Sequence, residues 1–376
     1  MNVKGIAKPL VNALVDRTLH LSQGRNAGCI GFLDEEGIVA THTEIVDGGL
    51  SGIPLRILLN KMTSMDGKSL IEGLSALSER SVIIMTRPGK TGLITDVSGV
   101  DFFNMPIINI GVKNDGLAGI GLITPKEEHF DLATESEQIN LATLGSLTME
   151  DEKDVLRQGN LLSLKYLDVS RELEAVDKEA RLVVNPKSMV RLSYPRLSID
   201  VLDKTLAEHL VSKSKEVGQG REVATIAVVE DGKVSSAGRI VKGGMGYVPS
   251  RLLASSAVDI SAKSLMQIYS ELIPENGVIV HTHPGGTGVM HIGDANAGPG
   301  TWGRAIIAIG HDAVGEIRGA TAIEVSDKIY QLADEDERLN QEFFNAETPE
   351  MESTIRNRKF GVAQEYTDLC KPIQIQ

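Results

Sequence analysis

Two cysteines in 376 residues, Cys29 and Cys370, are too few for a disulfide framework and cannot build a thiolate zinc site. Positive charge is also in deficit. With 38 Lys and Arg against 51 Asp and Glu, the formal charge is −13, which argues against sequence-independent binding to nucleic acid or to an anionic membrane. No run approaches the eighteen or so apolar residues of a membrane span, and residues 1–8 do not lead into the apolar stretch of a signal peptide. The expectation is a cytoplasmic protein with no nucleic-acid and no membrane partner. Aromatic residues make up only 4%, with a single tryptophan, Trp302. What remains, 41% hydrophobic and 24% charged residues, is ordinary globular composition, long for one domain and comfortable for two.

An internal repeat organises the chain. SQGRN at 22–26 is matched by GQGRE at 218–222, GGLSGIPLRILL from Gly48 by GGMGYVPSRLL from Gly243, and KSL at 68–70 by KSL at 263–265. MTRPGKTG from Met85 then faces HTHPGGTG from His281, and PIINIG faces AIIAIG. Each half carries the same pattern of helix, strand, acidic turn, strand, glycine run, helix and strand. The segment between the copies has apolar positions such as Leu141, Leu144, Leu161 and Leu164, and reads as two or three helices.

The chemistry concentrates in residues 277–294, GVIVHTHPGGTGVMHIGD. A β-branched run delivers His281 and His283, and side chains at i and i+2 of a strand share one face. Asp294 follows after a proline and glycine turn. Two imidazoles and a carboxylate close three corners of a tetrahedral metal site and leave a fourth for water. Hydrolysis there needs a carboxylate to take the water's proton. Glu222, at the start of a strand that can pair with the HxH strand, is the first candidate, and Glu230, in an acidic turn, the second. In the first copy the corresponding residues are Asn26, Met85, Arg87 and Ser98, which cannot assemble a site for a dication. Asp96 and Asp101 stand near Ser98, but a shift of alignment would restore no histidine. The proline and glycines, kept in both copies, read as scaffold. The glycine runs VDGGLSG and VKGGMGY, also shared, read as structural turns before phosphate nests. Trp302 is open between core packing and substrate contact, and His311 between the site and its rim.

A Glu at a first-strand start, then HxHP, then Asp eleven positions after the second histidine resembles the JAMM (MPN+) zinc metalloprotease family over about residues 196–326. The resemblance implies Zn2+ held by His281, His283 and Asp294, with Glu222 as general acid and base. It implies hydrolysis of amide or isopeptide bonds in a peptide, a protein conjugate or a small-molecule amide. Family members place a serine three residues before the aspartate to stabilise an oxyanion; here that residue is His291, which can donate to the same oxygen or bind the metal and close the site. Residues 295–303, ANAGPGTWG, do not suit the regular helix that follows the aspartate in the family.

The expected fold is α/β, with two tandem related JAMM/MPN-like domains, each a mixed sheet flanked by helices. A metal-free copy spans 1–130, a helical linker 131–195, the zinc domain 196–330 and a helical C-terminal tail 331–376. The two halves are expected to pair within the chain, with homo-oligomers left open. The alternative to a hydrolase is a non-catalytic scaffold or sensor whose metal is structural, with His291 as fourth ligand. A third reading is a small-molecule binder using the glycine loops of the first copy.

Overall fold

Apolar residues at i, i+3 and i+4 mark the first helix of each half, and the same core-facing positions recur. Leu10, Val11, Leu14, Val15 and Thr18 are buried in one helix, and Ala207, Leu210, Val211 and Ser214 in the other. The computed structural model describes residues 2–50, 52–93, 99–145, 148–183 and 189–376. The first half contains β1 (Gly5–Ala7), α1 (Lys8–Leu21), β2 (Ala27–Leu33), β3 (Ile38–His42), β4 (Val46–Asp47), α2 (Leu55–Leu59), α3 (Leu70–Leu74) and β5 (Ser81–Pro88). It continues through α4 (Val100–Phe103), β6 (Ile107–Lys113), β7 (Gly116–Ile123), α5 (Glu127–Gly145), α6 (Met149–Val169), β8 (Arg171–Glu172), β9 (Ala175–Val176) and β10 (Arg181–Leu182). The second half contains β11 (Val201–Leu202), α7 (Lys204–Val217), β12 (Val223–Glu230), β13 (Lys233–Ala237), β14 (Val241–Lys242), α8 (Ser250–Ala254), α9 (Leu265–Gln267) and β15 (Gly277–Pro284). It ends with α10 (Ile292–Ala295), β16 (Ile306–His311), β17 (Ile317–Ile323), α11 (Asp327–Phe344), α12 (Pro349–Asp368), β18 (Lys371–Pro372) and β19 (Gln374–Ile375).

The protein is α/β, with two mixed sheets and flanking helices, and the sheets follow one plan. Their strand orders are β8-β7-β6-β5-β2-β3-β1-β9 and β18-β17-β16-β15-β12-β13-β11-β19. In each, the parallel pair β5 with β6, or β15 with β16, is flanked by antiparallel pairings, and further parallel pairs lie toward the other edge, where β1 joins β3 and β9, and β11 joins β13 and β19. Small shared motifs have local causes. The serine of each KSL, Ser69 or Ser264, caps the next helix in a reciprocal box with Glu72 or Gln267. The helical segment 131–195 is helical only as far as Val169, and β8, β9 and β10 then join the first sheet. Likewise, the segment 331–376 ends in β18 and β19, which extend the second sheet at both sides.

A helix of each helical hairpin also contacts the opposite half. On α11, Asp334 pairs with Arg56 at 2.6 Å, while Glu337 accepts from the peptide N–H groups of Arg56 and Ile57 at the start of α2. On α5, Thr134 accepts from Arg251 at 2.9 Å, and Glu137 accepts from the peptide N–H groups of Arg251 and Leu252 at the start of α8. A carboxylate at a helix start satisfies N–H groups that have no partner within the helix. Among the described residues, no helix is long and apolar enough to cross a membrane.

Candidate metal centre

The alternation of β15 divides its side chains between two cores. Val278 and Val280 pack toward α7, whereas Ile279 faces the cluster that includes Ala224, Leu253, Trp302 and Ile306. His281 and His283 continue the Ile279 face, and the strand delivers them beyond the packed core. In the antiparallel pairing with β12, Ala224 stands opposite His281, so Glu222, two residues earlier, falls on the same face. The peptide N–H of Val223 donates to the Thr282 hydroxyl at 3.1 Å and fixes this end of β12. The glycine run closes the other side, with Glu222 N–H donating to the Gly244 carbonyl and Gly243 N–H to the Glu222 carbonyl.

The donor atoms converge. His281 Nε2 and His283 Nε2 are 2.8 Å apart, and an Asp294 oxygen lies 3.2 Å from the first and 3.6 Å from the second. A tetrahedral ion with bonds of about 2.0–2.1 Å needs ligand atoms roughly 3.3 Å apart, which these three distances bracket. Nδ1 of His281 is buried with no hydrogen-bond partner; the ring's polar contacts run through Nε2. The Glu222 carboxylate is buried as well, and its Oε1 lies 3.9 Å from His283 Nε2. Glu222, His281 and His283 form a donor group within 4.8 Å that can itself hold an ion. Asp294 makes the shorter contacts with both imidazoles, so it is the better third ligand and Glu222 is left facing the group.

Electrostatics follow from this crowding. Burial pushes the Glu222 carboxyl upward, and the two histidines offset it only in part. Burial would also raise Asp294, but hydrogen bonds from His281 and His283 outweigh it and hold that carboxyl well below the usual range. For His283, burial would lower the pKa, yet Asp294 and Glu222 prevail and the net shift is upward.

Asp294 sits on the short α10, and the chain then makes a π-helical turn, Asn296–Gly300, with Pro299 inside it. The chain nevertheless stays helical from Ile292 to Trp302, so the glycines and Pro299 widen the helix after the aspartate and do not end it. His291 caps α10; its peptide N–H donates to Asp294 at 2.9 Å, and its exposed side chain lines the cavity over the site. Like Asp294, it lies outside the group of Glu222, His281 and His283 whose donor atoms fall within 4.8 Å of one another among the described residues. The loop before it is tied down from the C-terminus, since Met290 N–H donates to Cys370 Sγ.

The remaining candidates disperse. Glu230 is exposed in the hairpin between β12 and β13. His311 points to the opposite face of the sheet and bonds the Ser214 hydroxyl of α7 at 2.9 Å. In the first half, Met85 is packed into an apolar cluster and Asn26 donates to the Gly49 carbonyl; Ser98 and Asp96 lie outside the described residues. Trp302 packs in the core, stacked on Tyr269 with ring centroids 4.0 Å apart, and also lines the cavity. Sequence reasoning missed Tyr247 at the cavity mouth, and also the approach of Leu144, from the first half, to the adjacent Gly244. The repeated glycine run was the only signal pointing there. Compared with protein-family models, with curated proteins and with solved structures, the chain matches none.

Proposed function

We propose that the second half is a metal-dependent hydrolase of amide or isopeptide bonds, with a divalent cation, zinc by its ligand chemistry, held by His281, His283 and Asp294. The observation that carries this reading is the mutual spacing of the three donor atoms, 2.8, 3.2 and 3.6 Å, beside a buried carboxylate. A dication so held supplies Lewis acidity to the scissile carbonyl and acidifies water. Glu222 Oε1 takes the proton of the attacking water and hands it to the leaving nitrogen, so that one water and one amide yield an acid and an amine. Its upward-shifted carboxyl suits a group that must accept and release a proton. His291, at the cavity wall, is placed to donate to the oxygen that gains charge. The likeness to the JAMM family supports the same assignment of roles.

The test is metal content and turnover of wild type and Glu222→Gln on a panel of peptides, isopeptide conjugates and small amides. The variant should keep its metal and lose turnover by about 10²–10⁴-fold, the usual worth of a general base. Absence of turnover by the metal-loaded wild type on every substrate would favour the non-catalytic scaffold.

A further inference from the structure

The cavity beside the metal centre has a volume of 860 Å³ and extends well past the histidines. Its inner part is apolar. Ala224, directly opposite His281 on β12, offers only a methyl group, and Ile279 and Ile306, paired across β15 and β16, continue that floor. Leu253, Val248 and Trp302 close the space from the other side. Trp302 is held from behind by Tyr269, stacked at 4.0 Å, and from the side by Phe102 of the first half, with ring centroids 5.2 Å apart. Tyr269 is wholly buried and donates its hydroxyl to the Ser250 carbonyl. This wall is preformed, as binding pockets generally are.

Charge narrows the occupant. Among the described residues no lysine or arginine lines the cavity, and the carboxylates that do line it belong to Glu222 and Asp294. In the apolar part of the cavity, away from the histidines and any ion they hold, a terminal carboxylate or a phosphate would find no lysine or arginine among the described residues to pair it, which burial makes costly. In the first half Leu58, Ile83 and Ile107 stand where Leu253, Ile279 and Ile306 do, and Met85, in the place of His281, packs into one cluster with them.

We infer that this cavity is a specificity pocket for a bulky, neutral, apolar group next to the scissile bond, so that the substrates are amides bearing an aromatic or branched aliphatic substituent. The inference rests on the hydrolase reading for the word substrate, but its test does not. Trp302 is the only tryptophan in the chain and lines the pocket, so its fluorescence reports entry without turnover. Chelator-treated protein is titrated with phenylacetamide and with acetamide. Phenylacetamide should perturb Trp302 emission and bind at least tenfold more tightly. The preference should vanish in Ala224→Leu, which fills the floor, and in Val248→Phe, which fills the space from its mouth and serves if the first variant fails to fold. Equal binding of the two amides, or a preference unchanged in folded filled variants, would overturn the proposal. A preference in a protein that hydrolyses nothing would leave the pocket standing and remove the hydrolase reading. Turnover without any preference would do the reverse.

Discussion

His281 Nε2 lies 2.8 Å from His283 Nε2, with one Asp294 oxygen within 3.6 Å of both. Such proximity favours an ion over a second proton among them. Zinc that binds the folded chain alone stabilises it by RT ln(1 + [L]/Kd), about 2.7 kcal/mol at a hundredfold excess over Kd. Thermal melts with zinc and with chelator should show this upward shift in wild type and none in His283→Ala. Met85→Ala, at the matching strand position of the first half, should lower the melting temperature by opening a core cavity while leaving the zinc-induced shift intact. Equal zinc shifts in wild type and His283→Ala would remove the metal centre.

The reciprocal clasp between the halves makes a second prediction. Arg251 has no exposed surface, and its guanidinium donates to Thr134 and to the carbonyls of Lys263 and Ile260. Arg251→Ala strands those acceptors, while Glu137 keeps the peptide N–H groups of residues 251 and 252. The substitution should cost about 3 kcal/mol or more, the usual penalty for breaking a buried charged network. Arg56→Ala, which does the same to Asp334 and to the Lys68 and Met65 carbonyls, should cost a similar amount. Urea denaturation measures both; a loss below 1 kcal/mol in each, as at exposed ion pairs, would show that the clasp contributes little.

Protonation of the same clasp gives stability a pH dependence. Burial pushes Glu137 up to about 7 and Glu337 up to about 6. Because the folded state holds these protons more tightly than the unfolded chain, their contribution is full below the unfolded glutamate pKa, about 4.3, and is lost as pH rises through 6 and 7. Surface carboxylates held low by partners, such as Asp34 beside Lys178 and Glu335 beside Arg338, are already ionised over that window. The melting temperature should therefore fall between pH 5 and pH 8, and fall less in the Glu137→Gln, Glu337→Gln double variant. Parallel pH profiles for the two proteins would contradict the assignment.

The legible parts of this molecule are those where local chemistry repeats. The strand bearing His281 and His283 announces itself by β-branched residues, and its twin by the shared Pro88 and Pro284, so the two sheets could be expected from the chain alone. The equivalence of the helical hairpins could not. Thr148 with Thr348 and Tyr166 with Tyr366 keep their places, as helix cap and buried anchor, but most positions around them are solvated and have diverged. The clasp of Glu137 and Glu337 was also hidden, because no local pattern distinguishes a glutamate on a helix surface from one buried against a distant helix start. In the site, the side chains that converge were readable and the cavity was not. Its volume depends on Ala224 being small opposite His281, a fact of strand register.

Separating scaffold from chemistry in the site loop gives the last prediction. Gly288 has φ +83°, and a Cβ there would stand 2.8 Å from the Ala308 carbonyl oxygen and 3.0 Å from that of Gly319. Gly92, its counterpart, has φ +91°, and a Cβ would stand 2.7 Å from the Gly119 carbonyl oxygen and 3.0 Å from that of Asn109. Both turns lie flat against the neighbouring strands, where backbone atoms cannot give way. Left-handed strain and overpacking together should make Gly288→Ala and Gly92→Ala each cost about 2 kcal/mol or more. Only the first should also weaken zinc binding, since the loop leading to Asp294 passes through Gly288 alone. If Gly92→Ala were tolerated while Gly288→Ala was not, the glycine would belong to the chemistry of the second half and not to a scaffold common to both.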